Sequence, residues 1–287
     1  MTDFSKNWLE LREPLDKRSR SNELIKTLSI VLPDRPIHVI DLGTGTGSNL
    51  RYLCKELKGN QIWQLIDNDE NLLKTIPAYT KKWAIKNKLL VKELGNEFLI
   101  KGENIECHAY IQQKNLSDLT DIKIPEKALV SCSALLDLVS KNWIKTLAKK
   151  CMRIKATILF TLNYDGYIKF KPCEEDDKLV RSLINKHQLK NKGFGNAMGP
   201  KAGHMAVQVF SEIGYNIRSQ YSNWKIKSND NELQTMLLDM WLDAAIEGSP
   251  EQKNRLKNWR KKRQYHVISK NSELEIGHTD ILGWISK

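Results

Sequence analysis

One stretch constrains this chain more than any other: residues 38–53, HVIDLGTGTGSNLRYL. Val39, Ile40 and Leu42 read as a buried strand that ends in a turn carrying Gly43, Gly45 and Gly47. Leu50 and Leu53 then have the spacing of a helix packed on a sheet. A strand, a glycine turn and a helix N-terminus leave backbone facing an open edge, where a ligand can approach with no side chain in the way. The turn is not a dinucleotide fingerprint, which needs G-x-G-x-x-G. Counted from Gly43 the third glycine position is Ser48, and counted from Gly45 it is Leu50. What stands here is acid-x-G-x-G-x-G, with Asp41 as the acid. A second acid, Asp67, closes the next apolar run, Trp63-Gln64-Leu65-Ile66.

Two acids placed this way around three glycines resemble the nucleotide-binding motif of class I S-adenosylmethionine-dependent methyltransferases. The resemblance implies a Rossmann-like α/β fold: a seven-stranded, mostly parallel sheet with one reversed strand and helices on both faces. It implies S-adenosylmethionine as cofactor and S-adenosylhomocysteine as product. Asp41 is expected to order the loop and help hold the methionine end, and Asp67 to hold the ribose hydroxyls. Gly43, Thr44, Gly45, Gly47, Asn49, Asn68 and Ser133 complete the expected contacts. Many relatives carry Asp-Leu after the third strand to meet the adenine amino group. This chain has Asn115-Leu116, whose amide oxygen can still accept. Arg12 and Arg20, in the N-terminal segment, are candidates for the cofactor carboxylate, since a guanidinium binds that group bidentately.

Along the chain, residues 1–36 read as an N-terminal segment with a helix over about 19–32, stopped by Pro33 and Pro36. Residues 37–287 read as the methyltransferase domain. A short helix is expected at 70–76, a Lys-rich helical stretch at 77–91, and strands at 105–112, 128–133, 156–162 and 215–224. Helices are expected at 143–152, 202–213 and 233–246, and further strands at 265–269 and 275–285, one of them the reversed strand. Residues 167–201 form a cap insertion, with an acidic run at 174–177 and a Gly-rich loop at its end.

Methyl transfer from a sulfonium needs an in-line nucleophile and little else, so catalytic residues leave a faint trace in sequence. Asp137 and Tyr164 lie just beyond the fourth and fifth strands, and His187 and His204 lie in or beside the cap; His187 is the preferred base among the histidines. No His/Cys/Asp cluster has metal-ligand spacing. Cys54, Cys107, Cys132, Cys151 and Cys173 include no C-x-x-C pair, which suits reduced thiols in a cytoplasmic protein. No apolar run approaches a membrane span, and the polar N-terminus does not read as a signal peptide.

The formal charge of +12 raises the question of a nucleic-acid partner. The one dense basic run is 253–263, KNRLKNWRKKR, read as a solvated helix face in preference to a phosphate-binding patch. The Asn/Asp-Pro-Pro-aromatic signature of amino methylation is replaced by Ser131-Cys132-Ser133-Ala134, and Cys132 lacks the Pro-Cys context of cytosine C5 methylation. The cap favours a small-molecule acceptor in an enclosed pocket, with RNA methylation as the runner-up and a monomer or homodimer as the assembly. The segments WLELREP, SALLDLVS and HQ…GFGNAMGP also resemble a bacterial methyltransferase subfamily, a likeness that supplies no substrate.

Overall fold

The computed structural model describes residues 5–32 and 36–286. In chain order the elements are α1 (Lys6–Ser19), α2 (Asn22–Val31), β1 (Ile37–Leu42), α3 (Ser48–Leu57), β2 (Gly59–Asp67), α4 (Glu70–Leu73) and α5 (Ile76–Lys86). There follow β3 (Leu90–Leu94), β4 (Glu97–Gly102), β5 (Ile105–Gln113), β6 (Leu129–Ser133), α6 (Lys141–Arg153), β7 (Thr157–Lys171) and α7 (Asp177–His187). The chain closes with α8 (Ala202–Glu212), β8 (Asn216–Tyr221), β9 (Trp224–Ile226), α9 (Asn231–Gly248), α10 (Lys253–Ile268) and β10 (Glu273–Trp284).

The seven core strands lie in the order β5-β2-β1-β6-β7-β10-β8. β5, β2, β1, β6 and β7 run parallel, and β10 is reversed between β7 and β8. This is the arrangement expected from the sequence: a mostly parallel seven-stranded core with one reversed strand. The sheet is wider than seven strands, because the β3-β4 hairpin extends the β5 edge and β9 pairs with β10. Chain order reverses between β1 and β6, and at such a switch point a crevice opens outside the carboxyl ends of the strands.

Alternation along β1 explains the layers. Ile40 and Leu42 face one side and pack with Phe160, Trp143 of α6 and Phe210 of α8. Val39 faces the other and packs with Leu24 and Leu28 of α2 and Leu50 and Leu53 of α3. Burying each such side chain contributes roughly 1.5–3 kcal/mol. A third cluster lies beyond the sheet rim, where α1, α7, α9 and α10 pack on the far ends of β7 and β10 through Trp8, Ile184, Leu237, Trp259, Phe170 and Ile276. This annex is a separate core with its own aromatic packing.

Several expectations need correction. The single N-terminal helix is two: Ser5 caps α1 and Ser21 caps α2, each accepting a backbone N–H of the first turn. Pro33 lies outside the described residues. The short helix stops at Leu73, and α5 ends at Lys86, giving way to β3. The sixth strand is split into β8 and β9. β7 runs on to Lys171, into the supposed cap. Residues 265–268 continue α10; there Leu256, Trp259, Arg263 and Val267 are buried at helical spacing, and a charged residue interrupts the apolar stripe.

The acidic and basic runs meet in the annex. Arg263 is fully buried and pairs with Asp177, which also accepts from Trp259 Nε1 at 2.9 Å. Arg255 pairs with Asp176, while Lys262 and His266 reach Glu174. The run at 253–263 is therefore divided: part of it is a staple holding α10 to the start of α7, while Lys253, Lys257 and Lys261 are exposed, as expected of a solvated helix face.

Candidate functional site

The glycine loop is shaped from beneath. Asp41 is wholly buried and accepts from Thr44 Oγ1 at 2.6 Å and Asn49 Nδ2 at 2.6 Å. Burial pushes its carboxyl up to about 6. Gly43 and Thr44 both donate backbone N–H groups to the carbonyl of Ile66. Gly43, Gly45 and Gly47 have φ of +70°, +54° and +80°, a region that side chains rarely adopt. At Gly45 a Cβ would stand 3.5 Å from Leu9 of α1, inside the space the loop borders.

Asp67 closes this rim. Its carboxylate accepts the Gly45 N–H at 2.8 Å and the Asp69 N–H at 3.1 Å, so loop and strand end are tied by one side chain. Burial raises its pKa against those hydrogen bonds. The rim encloses a cavity of about 640 Å³. Arg12, Gly43, Thr44, Gly45, Asn49, Asp67, Asn68, Leu116 and Ser133 all line it.

Four of the expected cofactor residues stand elsewhere. Asp41 lies behind the loop, and Gly47 packs against Ile76 as the residue before α3. Asn115 is exposed, and its Oδ1 accepts the Ser117 N–H. Arg20 donates to Asn49 Oδ1 at 2.6 Å and Ser133 Oγ at 3.0 Å, with its guanidinium 4.5 Å from the Tyr52 ring centre. Its charge is spent under the floor of the cavity. Arg12 is ion-paired as well, with Nε and Nη2 donating to Asp16 and the guanidinium 4.9 Å from the Trp224 ring centre, but of the two arginines it is the one that lines the cavity.

A second cavity of about 410 Å³ lies in the annex. Arg12, Ala134, Leu138 and Lys192 line both cavities and form the doorway between them. The three expected catalytic residues, Asp137, Tyr164 and His187, all line this second chamber. Asp137 follows β6; burial pushes its carboxyl up to about 7, and its Oδ1 has no hydrogen-bond partner among the described residues. Tyr164 donates its O–H to Asn185 at 2.7 Å, and burial pushes its pKa upward. His187 stands 3.0 Å from Glu247, which also pairs with Lys190, and burial lowers its pKa. His204 lines neither chamber.

The sequence reading missed His278, Gln113, Leu9 and Lys192. His278 sits on β10, where Nδ1 lies 3.1 Å from the Ile276 carbonyl and must donate to it. Its ring lies 4.8 Å from Trp224, and burial, with Arg12 nearby, lowers its pKa to about 3. The imidazole is therefore neutral, with Nε2 as an acceptor that has no partner among the described residues. Leu9 was within reach of sequence, since it follows buried Trp8 on a capped helix.

No family model matches this chain, and no curated protein sequence does either. Among solved structures, one similar arrangement is a cyclopropane synthase from Mycobacterium tuberculosis, at 10% identity and a TM-score of 0.47, covering 98% of this chain and 95% of that one. Another is an S-adenosylmethionine-dependent methyltransferase from Thiobacillus denitrificans in complex with S-adenosyl-L-homocysteine, at 12% identity and a TM-score of 0.43, covering 98% and 99%.

Proposed function

We propose that this chain is an S-adenosylmethionine-dependent methyltransferase that acts on a small molecule by in-line transfer. The observation that carries the reading is the doorway: Arg12, Ala134, Leu138 and Lys192 line both the glycine-and-carboxylate cradle and a second chamber beside the end of β6. The cradle suits an adenosyl group, since Gly45 leaves room that a Cβ would fill and Asp67 presents a carboxylate at the rim. When bound, the sulfonium supplies a methyl group already activated for transfer. Asp67 would hold the ribose, Asn68 and Leu116 the nucleoside, and Arg12 the carboxylate. Asp41 acts indirectly, by fixing Thr44 and Asn49.

What the protein adds is alignment. Well-oriented reactions of this kind gain on the order of 7–11 kcal/mol over free encounter. The chamber beyond the doorway falls within the size range of small-molecule pockets, on the order of 300–1,000 Å³. The RNA alternative is weakened, because three of the seven cations of the basic run, Arg255, Lys262 and Arg263, are paired with Asp176, Glu174 and Asp177.

Calorimetry with S-adenosylhomocysteine tests the reading: we expect stoichiometric binding, and its absence defeats the proposal. Binding of bulk tRNA that persists at high salt would favour the polymer instead, since purely electrostatic contacts weaken steeply with salt.

A further inference from the structure

The Gly-rich loop after α7 reaches back to the rim chamber. Asn191 and Asn196 close it with a bridge, and Ala197 pairs with Ser140 at the start of α6. Gly193, with φ of +98°, separates two side chains, Lys192 and Phe194, that both line the rim chamber. Phe194 is seated edge-on against Trp143 of α6, with ring centres 6.0 Å apart, so apolar packing already accounts for it.

Lys192 has no such account. It is only 9% exposed, yet its ammonium makes no hydrogen bond or ion pair among the described residues. Glu247 attracts it, but that carboxylate is exposed and already paired with Lys190 and His187, and burial lowers the Lys192 pKa. A cation held away from water with no partner is unfavourable, and an arriving anion removes that penalty.

The charges around the rim chamber fall at two ends. Asp67, Asp69 and Glu70 stand where β2 finishes, and Arg12 and Lys192 stand at the doorway. Asp16 already answers the charge of Arg12 through Nε and Nη2, which leaves Nη1 to donate a hydrogen bond. An adenosyl amino acid brings one carboxylate into this space, and Lys192 supplies the unanswered charge it needs. A carboxylate on the acceptor has the weaker claim, because Asp137, Asp243 and Glu247 already line the second chamber.

We infer that the Gly-rich loop belongs to the cofactor site, with Lys192 as counter-ion to the cofactor's amino-acid carboxylate. The inference rests on the methyltransferase reading. Lys192 also borders the second chamber, so the ion pair that seats the cofactor fixes one wall of the acceptor's doorway. The cofactor thereby completes the acceptor site, and the loop is ordered by the carboxylate rather than by the adenosine.

The test uses the full chain and two ligands that differ by one group: S-adenosylhomocysteine and its decarboxylated analogue, 5′-deoxy-5′-(3-aminopropylthio)adenosine. Calorimetry on the unaltered chain should find S-adenosylhomocysteine bound about tenfold tighter or more, the worth of one charge-assisted contact. Lys192→Met should weaken S-adenosylhomocysteine by about tenfold and leave the analogue unchanged, while Lys192→Arg should keep most of the preference. Hydrogen exchange on the unaltered chain, saturated with each ligand in turn, should show the amides of residues 191–196 better protected with S-adenosylhomocysteine than with the analogue. Equal affinity of the two ligands for the unaltered chain overturns the inference. So does a Lys192→Met variant that keeps the preference or weakens both ligands alike, and so does equal protection of residues 191–196. The exchange measurement needs no variant, so a misfolded Lys192→Met leaves that arm decisive. Failure of the unaltered chain to bind either ligand is a separate result, which removes the methyltransferase reading itself.

Discussion

The two chambers are built in opposite ways. The rim chamber is made largely from loops that follow β1, β2 and β6, where the parallel sheet itself places the residues. The annex chamber draws residues from α1, the stretch after β6, β7, α7, β9, α9 and β10, brought together by a core of its own. A site set by strand ends is robust and local. One assembled from distant helices depends on every packing contact between them.

The comparison can be broken at its strongest point by Gly45→Val. A side chain there conflicts with φ of +54° and enters the space beneath Leu9, so calorimetry should find no measurable S-adenosylhomocysteine binding while the fold persists. Retained affinity would mean that the loop does not border the ligand. On the annex side, Arg263→Ala leaves Asp177 buried without its cation. Denaturant unfolding should show a loss of about 3–5 kcal/mol, the usual cost of breaking a buried pair. A loss under about 1 kcal/mol would demote the staple to a surface contact.

These contrasts explain what could be read before the structure. Asp41, the three glycines and Asp67 were legible because strand, turn and helix are contiguous and their spacing is fixed by the sheet. Arg12 and Arg20 looked equivalent in sequence. Only tertiary packing separates them, sending Arg20 to Asn49 and Ser133 and leaving Arg12 at the doorway. The start of β3 was read as the end of a helix and the rest of the β3-β4 hairpin was left unassigned, because β3 is largely exposed on both faces, which erases the alternation that marks a strand. His278 was missed because its role is set by a bulged strand and by Trp224, far away in the chain.

Smaller effects sharpen the picture. Asp67→Ala should weaken S-adenosylhomocysteine binding by about 1–3 kcal/mol, and an unchanged Kd removes this carboxylate from the site. Asp137 gives a pH signature in stability. Unfolded, it titrates near the ordinary value of about 4, and burial raises it to about 7 in the fold. Across that window the folded chain binds more protons, so its contribution to stability falls as pH climbs. Asp137→Asn should flatten that slope in melting experiments run from acid to neutral pH. The smallest change belongs to His187→Ala. Its partner Glu247 is exposed, so the stability cost should stay within about 1 kcal/mol. Methyl transfer should survive as well, and abolished turnover would return the base to α7.

α1 belongs to both halves of this comparison. Leu9 and Arg12 look into the rim chamber, while Trp8 and again Arg12 look into the annex. Glu13 grips Arg51 on the sheet side, and Arg18 reaches Asp230 on the other. One plank thus shuts two rooms, and any swing of it wide enough to free one guest also uncovers the second. On the methyltransferase reading proposed above, exchange of cofactor and acceptor would be tied to a single movement, so a clamp on this helix should slow the departure of both together.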